Sequence, residues 1–275
     1  MTFGANVQTG STQGDHEERL LAILDRQEPL QALLDLIDAL HPQQSSIALQ
    51  ETAIALDTSV FIRLSANKKI ADIIDYLNTS HTAPLILPGQ SIQEFWNNQH
   101  QVIDSVAGAV KKTFDQLKSH VARIDTNFGD YSSRFEELLT EFRNDFGYAF
   151  DDNISRRTQK FLDLLKDKAL VPYATRLKFS EIALHRKQTK TPPGFRDDRD
   201  GDFFVWVDFM LGLKQAKGAG KEFKRAVLVT SDEKIDWTRY GAAHPILCSE
   251  IKALVGVPFE IWSIKKFVKQ VEAVA

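Results

Sequence analysis

Two short apolar stretches, each closely followed by an aspartate, constrain the fold of this chain most. The stretch AVLVT at 226–230 is rich in β-branched residues and leads to Asp232, and TAIAL at 52–56 leads to Asp57. Such runs are typical of strands that are buried on both faces of a parallel sheet. The carboxyl ends of parallel strands share the edge at which open α/β sheets bind ligands, so we expect both aspartates to line one site.

Two further stretches have strand character, PLILP at 84–88 and PFEIW at 258–262, and segments with helical periodicity separate the four runs. Strands that alternate with helices predict a parallel sheet covered by helices. Residues 60–80 form one helical segment, and Thr58 or Ser59 stands where a helix cap is expected. The sequence therefore predicts the α/β class.

The first 46 residues differ in character from the rest. Residues 1–15 are mostly small and polar and predict a frayed end, whereas 16–40 carry apolar residues at helical spacing with a break near Pro29. The members of this stripe are Leu20, Leu21, Leu24, Leu30, Leu33, Leu34, Ile37 and Leu40. We expect one or two helices that pack on the main domain; a partner-binding helix pair is the alternative. The predicted division is an N-terminal segment at 1–46 and a domain at 47–275.

A long stretch from about residue 99 to residue 170 lacks proline and has helical periodicity, with interruptions near 127–130 and at Gly147. It is too long for an ordinary connection between strands, so it indicates an insertion of two or three helices in the domain. Its aromatic residues are expected in a core rather than on a stacking surface.

Composition excludes several classes of protein. The chain has 275 residues, 43% of them hydrophobic and 26% charged, and a net charge of −3, so any basic surface for nucleic acid must be local. Cys248 is the one cysteine, which excludes an internal disulfide framework and a cysteine-based zinc site. No apolar run reaches ~18 residues and no signal-peptide pattern is found, so we expect a cytoplasmic protein without a membrane span.

Four acidic residues, Asp57, Glu94, Asp202 and Asp232, stand at strand exits or helix starts. Clustered in a cleft, they would repel one another by roughly several kcal/mol, a cost that a divalent cation offsets. Hard oxygen ligands suit Mg²⁺ or Mn²⁺, and such a site activates water and stabilises charge on a phosphoryl oxygen. The motifs of P-loop ATPases, HExxH proteases and GxSxG hydrolases do not occur in the sequence.

Two of these acids also have simpler interpretations. Glu94 and Ser91 have the spacing of a capping box, a role that does not exclude a place in the cleft. Asp202 ends the mixed-charge run 195–202, which is compatible with a solvated loop. Because an apolar helical stretch follows it directly, the helix dipole would also favour its charge.

Three motifs together resemble a known family. They are LDTSVF at 56–61, the pair PPGFRD at 192–197 and GDFFVW at 201–206, and LVTSDEKIDW at 228–237. In this order they resemble the PIN-like nuclease domains, in a bacterial subgroup marked by these features. The resemblance covers roughly residues 50–270 and leaves the first 45 outside.

The resemblance implies a Rossmann-like three-layer α/β/α sandwich with a central parallel sheet, to which the N-terminal helices and the helical insertion are added. It implies that Asp57, Glu94, Asp202 and Asp232 are the metal-binding catalytic acids, with Asp197 and Asp236 at further family positions. RNA or single-stranded nucleic acid is the implied substrate class. Nucleases of this kind are often toxins or defence effectors silenced by a partner or by an added segment, and the N-terminal helices are a candidate for that role.

Other residues complete the leading hypothesis of a metal-dependent nuclease. Thr58 or Ser231 would orient a water or a metal ligand. Five basic residues would hold the nucleic-acid backbone by charge, with a solvated face as the alternative: Arg186, Lys187, Lys190, Arg196 and Arg199.

Two competing functions are less favoured. A catalytically silent module that binds nucleic acid or protein is opposed by the presence of all four acids. A phosphatase with Asp57 as nucleophile is opposed by Ser59, which stands where the usual second aspartate is expected.

Overall fold

In this computed structural model the described residues are 10–40, 47–65, 67–97, 153–231, 234–239 and 241–274, with a few single positions between 116 and 138. Most of the helices predicted between 99 and 152, including the interruption at Gly147, lie outside the described residues. Asp232 also lies outside them.

Helices and short strands alternate along the described chain. The helices are α1 (Gly10–Leu24), α2 (Ala32–Leu40), α3 (Thr58–Ser65), α4 (Ile70–Thr79), α5 (89–97), α6 (Asn153–Lys168), α7 (Arg176–Gln188), α8 (Gly201–Gly218), α9 (Pro245–Val255) and α10 (Ile264–Glu272). The strands are β1 (Thr52–Leu56), β2 (Leu85–Ile86), β3 (Ala169–Leu170), β4 (Arg225–Val229), β5 (Thr238–Arg239), β6 (Ala242–Ala243) and β7 (Phe259–Trp262). None of the helices described is long and apolar enough to cross a membrane.

Five strands form one parallel sheet in the order β3-β2-β1-β4-β7, and β5 and β6 form a small antiparallel pair. The central pairing aligns Thr52 with Arg225 and Leu56 with Val229, so β1 and β4 end side by side. This sheet, with helices on both faces, confirms the predicted α/β class and the three-layer arrangement.

Alternate side chains of the central strands enter two separate cores. In β1, Ala53 and Ala55 face a core built with α1, α7, α8 and α9, whereas Ile54 and Leu56 face a core built with α3, α4, α6 and α10. All five residues of β1 are buried, as are all five of β4. Burial on both faces explains why the strands are continuous apolar runs rather than alternating ones.

The predicted strands agree with the structure to within one or two residues. TAIAL is β1 without change, whereas β4 begins one residue earlier than predicted, at Arg225. Arg225 is 5% exposed, and its guanidinium donates to the Thr52 hydroxyl and forms an ion pair with Glu260. These partners allow a charged residue to begin a buried strand.

Residues 153–170, which the prediction assigned to the helical insertion, belong to the sandwich. Phe161, Leu164 and Leu165 of α6 are buried in the second core, and β3 pairs in parallel with β2 through Leu85 and Ala169. The predicted boundary of the insertion at residue 170 is therefore wrong.

The N-terminal helices also differ from prediction. Helix α1 already begins at Gly10, within the segment predicted to be frayed, and its Leu20 and Ile23 are fully buried against α8 and α9. The break near Pro29 is confirmed, since α1 ends at Leu24 and α2 begins at Ala32. Helix α2 contacts α9 through Asp35, but the apolar residues of its part of the stripe are mostly exposed.

A buried carboxylate joins four parts of this fold. Glu250 of α9 is inaccessible to solvent and accepts hydrogen bonds from Arg26 (2.7 Å), Arg186 (2.8 Å) and the indole of Trp206 (2.8 Å). These donors come from the α1–α2 turn, from α7 and from α8. A carboxylate without solvent is tolerated here because charged donors surround it.

We predict that Glu250→Gln lowers the free energy of unfolding by about 3 kcal/mol, because breaking a buried ion pair leaves the opposite charge unsatisfied. Urea denaturation followed by circular dichroism measures this change. The matched control Glu222→Gln, at an exposed position, should change stability by less than about 0.5 kcal/mol. Equal stability of the two variants would contradict the role of Glu250.

Candidate functional site

The strand order locates a crevice at the carboxyl ends of β1 and β4. The chain proceeds from β1 to β2 and β3 on one side and then returns to add β4 on the other side of β1. Ligands of open α/β sheets bind at such a reversal of strand order. Asp57 directly follows β1, and Thr230 and Ser231 follow β4, so they lie at this crevice.

Asp57 connects the two strand exits. One carboxylate oxygen accepts hydrogen bonds from the hydroxyls of Ser59 (2.9 Å) and Thr230 (2.8 Å), and the other accepts from the backbone N–H of Thr58 (2.7 Å). The hydroxyl of Ser59 in turn accepts from the backbone N–H of Ser231 (3.2 Å). Asp57 itself, rather than Thr58 or Ser59, therefore stands directly before the first residue of α3, where the helix dipole favours its negative charge.

Glu94 lies next to this group. The hydroxyl of Thr58 donates to one Glu94 carboxylate oxygen (3.0 Å), and the side chain of Gln90 donates to the other (3.0 Å). The same carboxylate touches the start of α8, because a Cβ added to Gly201 would lie 2.5 Å from Glu94 Oε1. Glu94 thus joins the end of β1 to the residue that precedes Asp202.

The predicted capping box of Ser91 and Glu94 is wrong. The helix α5 already begins at residue 89, and the buried hydroxyl of Ser91 has no hydrogen-bond partner among the described residues. The carboxylate of Glu94 contacts Thr58 and Gln90 instead. This geometry agrees with the other interpretation, in which Glu94 faces the cleft.

Asp208 of α8 fixes the start of α5, and the sequence prediction missed it. Its carboxylate is fully buried and accepts from the backbone N–H groups of Gln90 (2.8 Å) and Ala174 (2.9 Å). Arg176 closes the group with two hydrogen bonds of 2.7 and 2.8 Å. A lone acid inside an apolar helix was the signal, since such a charge must be paired.

The neighbouring backbone also requires glycine. A Cβ at Gly89 would lie 2.4 Å from the ring of Tyr173, which covers the first turn of α5. Asp208 and this close contact together set the position from which Glu94 reaches Thr58.

Asp202 belongs to a second group of charges. Its Oδ2 accepts from the indole N–H of Trp237 (2.9 Å) and from the ammonium of Lys234 (3.2 Å). The same ammonium contacts both carboxylate oxygens of Asp197, at 3.0 and 2.8 Å. Lys234 therefore bridges Asp197 and Asp202, a role that the sequence prediction missed although the motif containing both Lys234 and Trp237 had been recognised.

The two carboxyl groups differ in their affinity for a proton. Burial raises the pKa of Asp202 to about 7, reinforced by the neighbouring Asp197 and opposed by the hydrogen bond from Trp237. Partial burial of Asp197 acts in the same direction, but hydrogen bonds from Lys234 and from Asp202 outweigh it and lower its pKa. Of the two carboxyl groups, Asp202 is therefore the one that binds a proton at the higher pH.

Asp236 supports the loop between α7 and α8. It is fully buried, and its Oδ2 accepts from the backbone N–H of Gly194 (2.9 Å). Gly194 has φ of +79°, a conformation that favours glycine, and its position against Asp202 leaves little room for a Cβ. Asp236 thus holds the loop that packs against Asp202.

The predicted basic surface is only partly exposed. Arg186 is 2% exposed and pairs with Glu250, so its predicted contact with nucleic acid is wrong, because the guanidinium lies in the core. Lys187 is partly buried and pairs with Asp200 (2.8 Å). Lys190, Arg196 and Arg199 are exposed.

The described acids do not form one metal-ligand set. No three acidic, histidine or cysteine residues in the described ranges are arranged to hold a metal ion. Asp57 and Glu94 form one group through Thr58, and Asp197 and Asp202 form a second one through Lys234. Asp232, the fourth predicted ligand, lies outside the described residues.

The chemistry of these donors fits a hard divalent cation. Asp57, Glu94 and Asp202 offer carboxylate oxygens, and both hydrogen bonds to Glu94 come from neutral donors. Asp202, in contrast, is in contact with Lys234, so a metal ion at this acid would compete with an ammonium group.

Comparison with known proteins gave one match. The sequence model of the PIN like domain family matches residues 53–247, which is more than half of the chain. Curated proteins and solved structures gave no match. The matched range includes Asp57, Glu94, Asp202 and Lys234.

We predict that Asp202 makes the stability of the metal-free protein depend on pH. Its folded pKa of about 7 lies above the value of 3.8 expected for the unfolded chain, so the protonated carboxyl favours folding. This contribution is complete below about pH 4 and is lost as the pH rises through about 7.

Urea denaturation in EDTA between about pH 5 and pH 8 tests this expectation against Asp202→Asn. The free energy of unfolding of the wild type should decrease relative to that of the variant as the pH rises. Histidines titrate in the same range, but they are common to both proteins and cancel in the difference. A constant difference across the range would contradict the raised pKa.

Proposed function

The chain belongs to the PIN-like domain family, and on this premise we propose that it is a divalent-metal-dependent nuclease that hydrolyses phosphodiester bonds. The observation that supports this proposal most is the contact chain Asp57–Thr58–Glu94–Gly201 at the carboxyl ends of the central strands. It connects Asp57, which follows β1, and Glu94 of α5 to Gly201, the residue before Asp202 at the start of α8, at the edge where sheets of this order bind ligands. Polar chemistry concentrated there is expected of an active site rather than of a structural core.

Each acid has a proposed role in this nuclease. Asp57, Glu94 and Asp202, together with Asp232, would hold Mg²⁺ or Mn²⁺. When bound, the ion lowers the pKa of a water and stabilises negative charge on the phosphodiester. Thr58 orients the Glu94 carboxylate, and the hydroxyls of Ser59 and Thr230 orient that of Asp57.

We further propose RNA or single-stranded DNA as substrate, with RNA favoured. The exposed Lys190, Arg196 and Arg199 flank the loop that carries Asp197 and would contact phosphates. The three sequence motifs also support membership of the bacterial subgroup and a toxin or defence role under the control of an inhibitory partner. The single cysteine supports a cytoplasmic location.

Matched variants test the nuclease. We expect Mn²⁺-dependent cleavage of labelled single-stranded RNA by the wild type and its loss in EDTA. Asp57→Asn, Glu94→Gln and Asp202→Asn should each reduce the rate about 100-fold or more, because each removes a charge that acts on the transition state. Asp198→Asn, an exposed acid in the same loop, should cleave at the wild-type rate.

The same assay separates the alternative function. Binding of RNA without cleavage, unaffected by the three acid substitutions, would favour a catalytically silent binding module. Cleavage that persists unchanged in all three variants would come from a contaminant and would overturn the proposal.

Lys234 gives a second test of the site. Because its ammonium contacts Asp202, we expect Lys234 to compete with the metal ion for this carboxylate. A partly exposed ion pair is worth about 0.5–1 kcal/mol, so Lys234→Met should lower the Kd for Mn²⁺ about two- to fivefold. Quenching of tryptophan fluorescence measures binding, since Trp237 donates to the same oxygen.

Lys187→Met is the matched control for this experiment. Lys187 lies in the same region but pairs with Asp200, so its removal changes the local charge without freeing Asp202. An equal shift in both variants would indicate a general charge effect rather than competition at Asp202. Weaker Mn²⁺ binding in Lys234→Met would contradict the competition outright.

A further inference from the structure

Helix α2 presents its apolar side to solvent. In the sequence ALLDLIDAL the large apolar residues recur on one side of the helix, and all of them are exposed. The exposed members are Leu33 (70%), Leu34 (53%), Leu36 (42%), Ile37 (47%) and Leu40 (68%). We call these five residues the α2 apolar face.

The opposite side of α2 is the one that packs on the protein. Asp35 is 6% exposed, and its carboxylate accepts from the hydroxyl of Ser249 (2.5 Å) and from Lys252 (3.4 Å), both on α9. Turning the helix to bury its leucines would break the contacts of Asp35 with Ser249 and Lys252. The buried Asp35 therefore fixes the orientation of α2, with its apolar face toward solvent. In an ordinary surface helix the apolar side packs on the protein instead.

The size of the α2 apolar face points to a binding surface. Five leucine and isoleucine side chains, each about half exposed, present roughly 400–500 Å² of apolar surface, a size that often marks an interaction site. No charged side chain interrupts the face, since Asp35 points inward and Asp38 lies at its side.

We propose that the α2 apolar face is the interface through which two copies of this chain pair. Two such faces would together remove roughly 1,000 Å² from water, about the least that a specific interface needs. A two-fold axis brings the same surface of both copies together, which requires a surface that is complementary to itself. An uncharged apolar stripe meets this requirement because no like charges face each other. This pairing does not depend on the proposed nuclease activity.

Sedimentation of the full chain tests the pairing. We expect the wild type to form dimers between about 1 and 100 μM, and the double variant Leu33→Glu with Ile37→Glu to remain monomeric, with a dimer Kd raised at least ~100-fold. The control Leu177→Glu changes a leucine of α7 that is 86% exposed but outside the face, and it should leave the dimer intact. Circular dichroism should show the same helix content in all three proteins.

A second measurement reports on geometry rather than on affinity. Ile37→Cys lies near the middle of the face along the helix axis, so a two-fold pair would bring two copies of it together and form a disulfide-linked dimer under mild oxidation. Leu177→Cys should form none. A wild type that remains monomeric over the whole range, including one that instead binds a different protein, would overturn the proposal. A dimer unaffected by the double glutamate variant would overturn it as well.

Discussion

The pairing of β1 with β4, with both faces covered by helices, is the constraint on which the rest of the structure depends. Every residue of the two strands is buried, so polar groups can enter only at their ends. At the entry, Arg225 is matched by Thr52 and Glu260; at the exit, Asp57 is matched by Thr230. The candidate site lies at the exit because the sheet allows hydrogen-bonding groups there and nowhere between its ends.

The sheet and part of the site could be predicted because their signals are local. The apolar composition of the runs 52–56 and 226–230 predicts strands. Since both strands run in the same direction, the acids that follow them are predicted at the same edge of the sheet. Strand β3 has only two residues, which is too short to stand out as an apolar run, and its Leu170 is 39% exposed. Its place at the sheet edge was therefore not predictable. Local signals therefore locate the centre of the sheet better than its edge.

Two of the failed predictions share one cause, which is a partner far away in the sequence. Ser91 and Glu94 have capping-box spacing, but Asp208, 118 residues after Gln90, starts the helix earlier. Arg186 stands in a basic run, yet Glu250, 64 residues later, holds it in the core. Neighbouring residues alone do not reveal these pairings, because a local pattern specifies a periodicity and not the partner that each side meets.

Helix α8 shows how one element serves both stability and chemistry. Asp208 is fully buried, and Arg176 and two backbone N–H groups satisfy its charge, so it can only hold α5 in place. Asp202, less than two turns earlier on the same helix, keeps 23% of its side chain exposed, and its oxygen contacts Lys234, whose side chain is 37% exposed. The difference lies in the partners rather than in the acid. A complete set of buried donors makes Asp208 structural, whereas Asp202 contacts a partly exposed ammonium, with which another cation could compete. Helix α8 thus connects the buried core at Asp208 to its own first residue, Gly201, which lies against the carboxylate of Glu94.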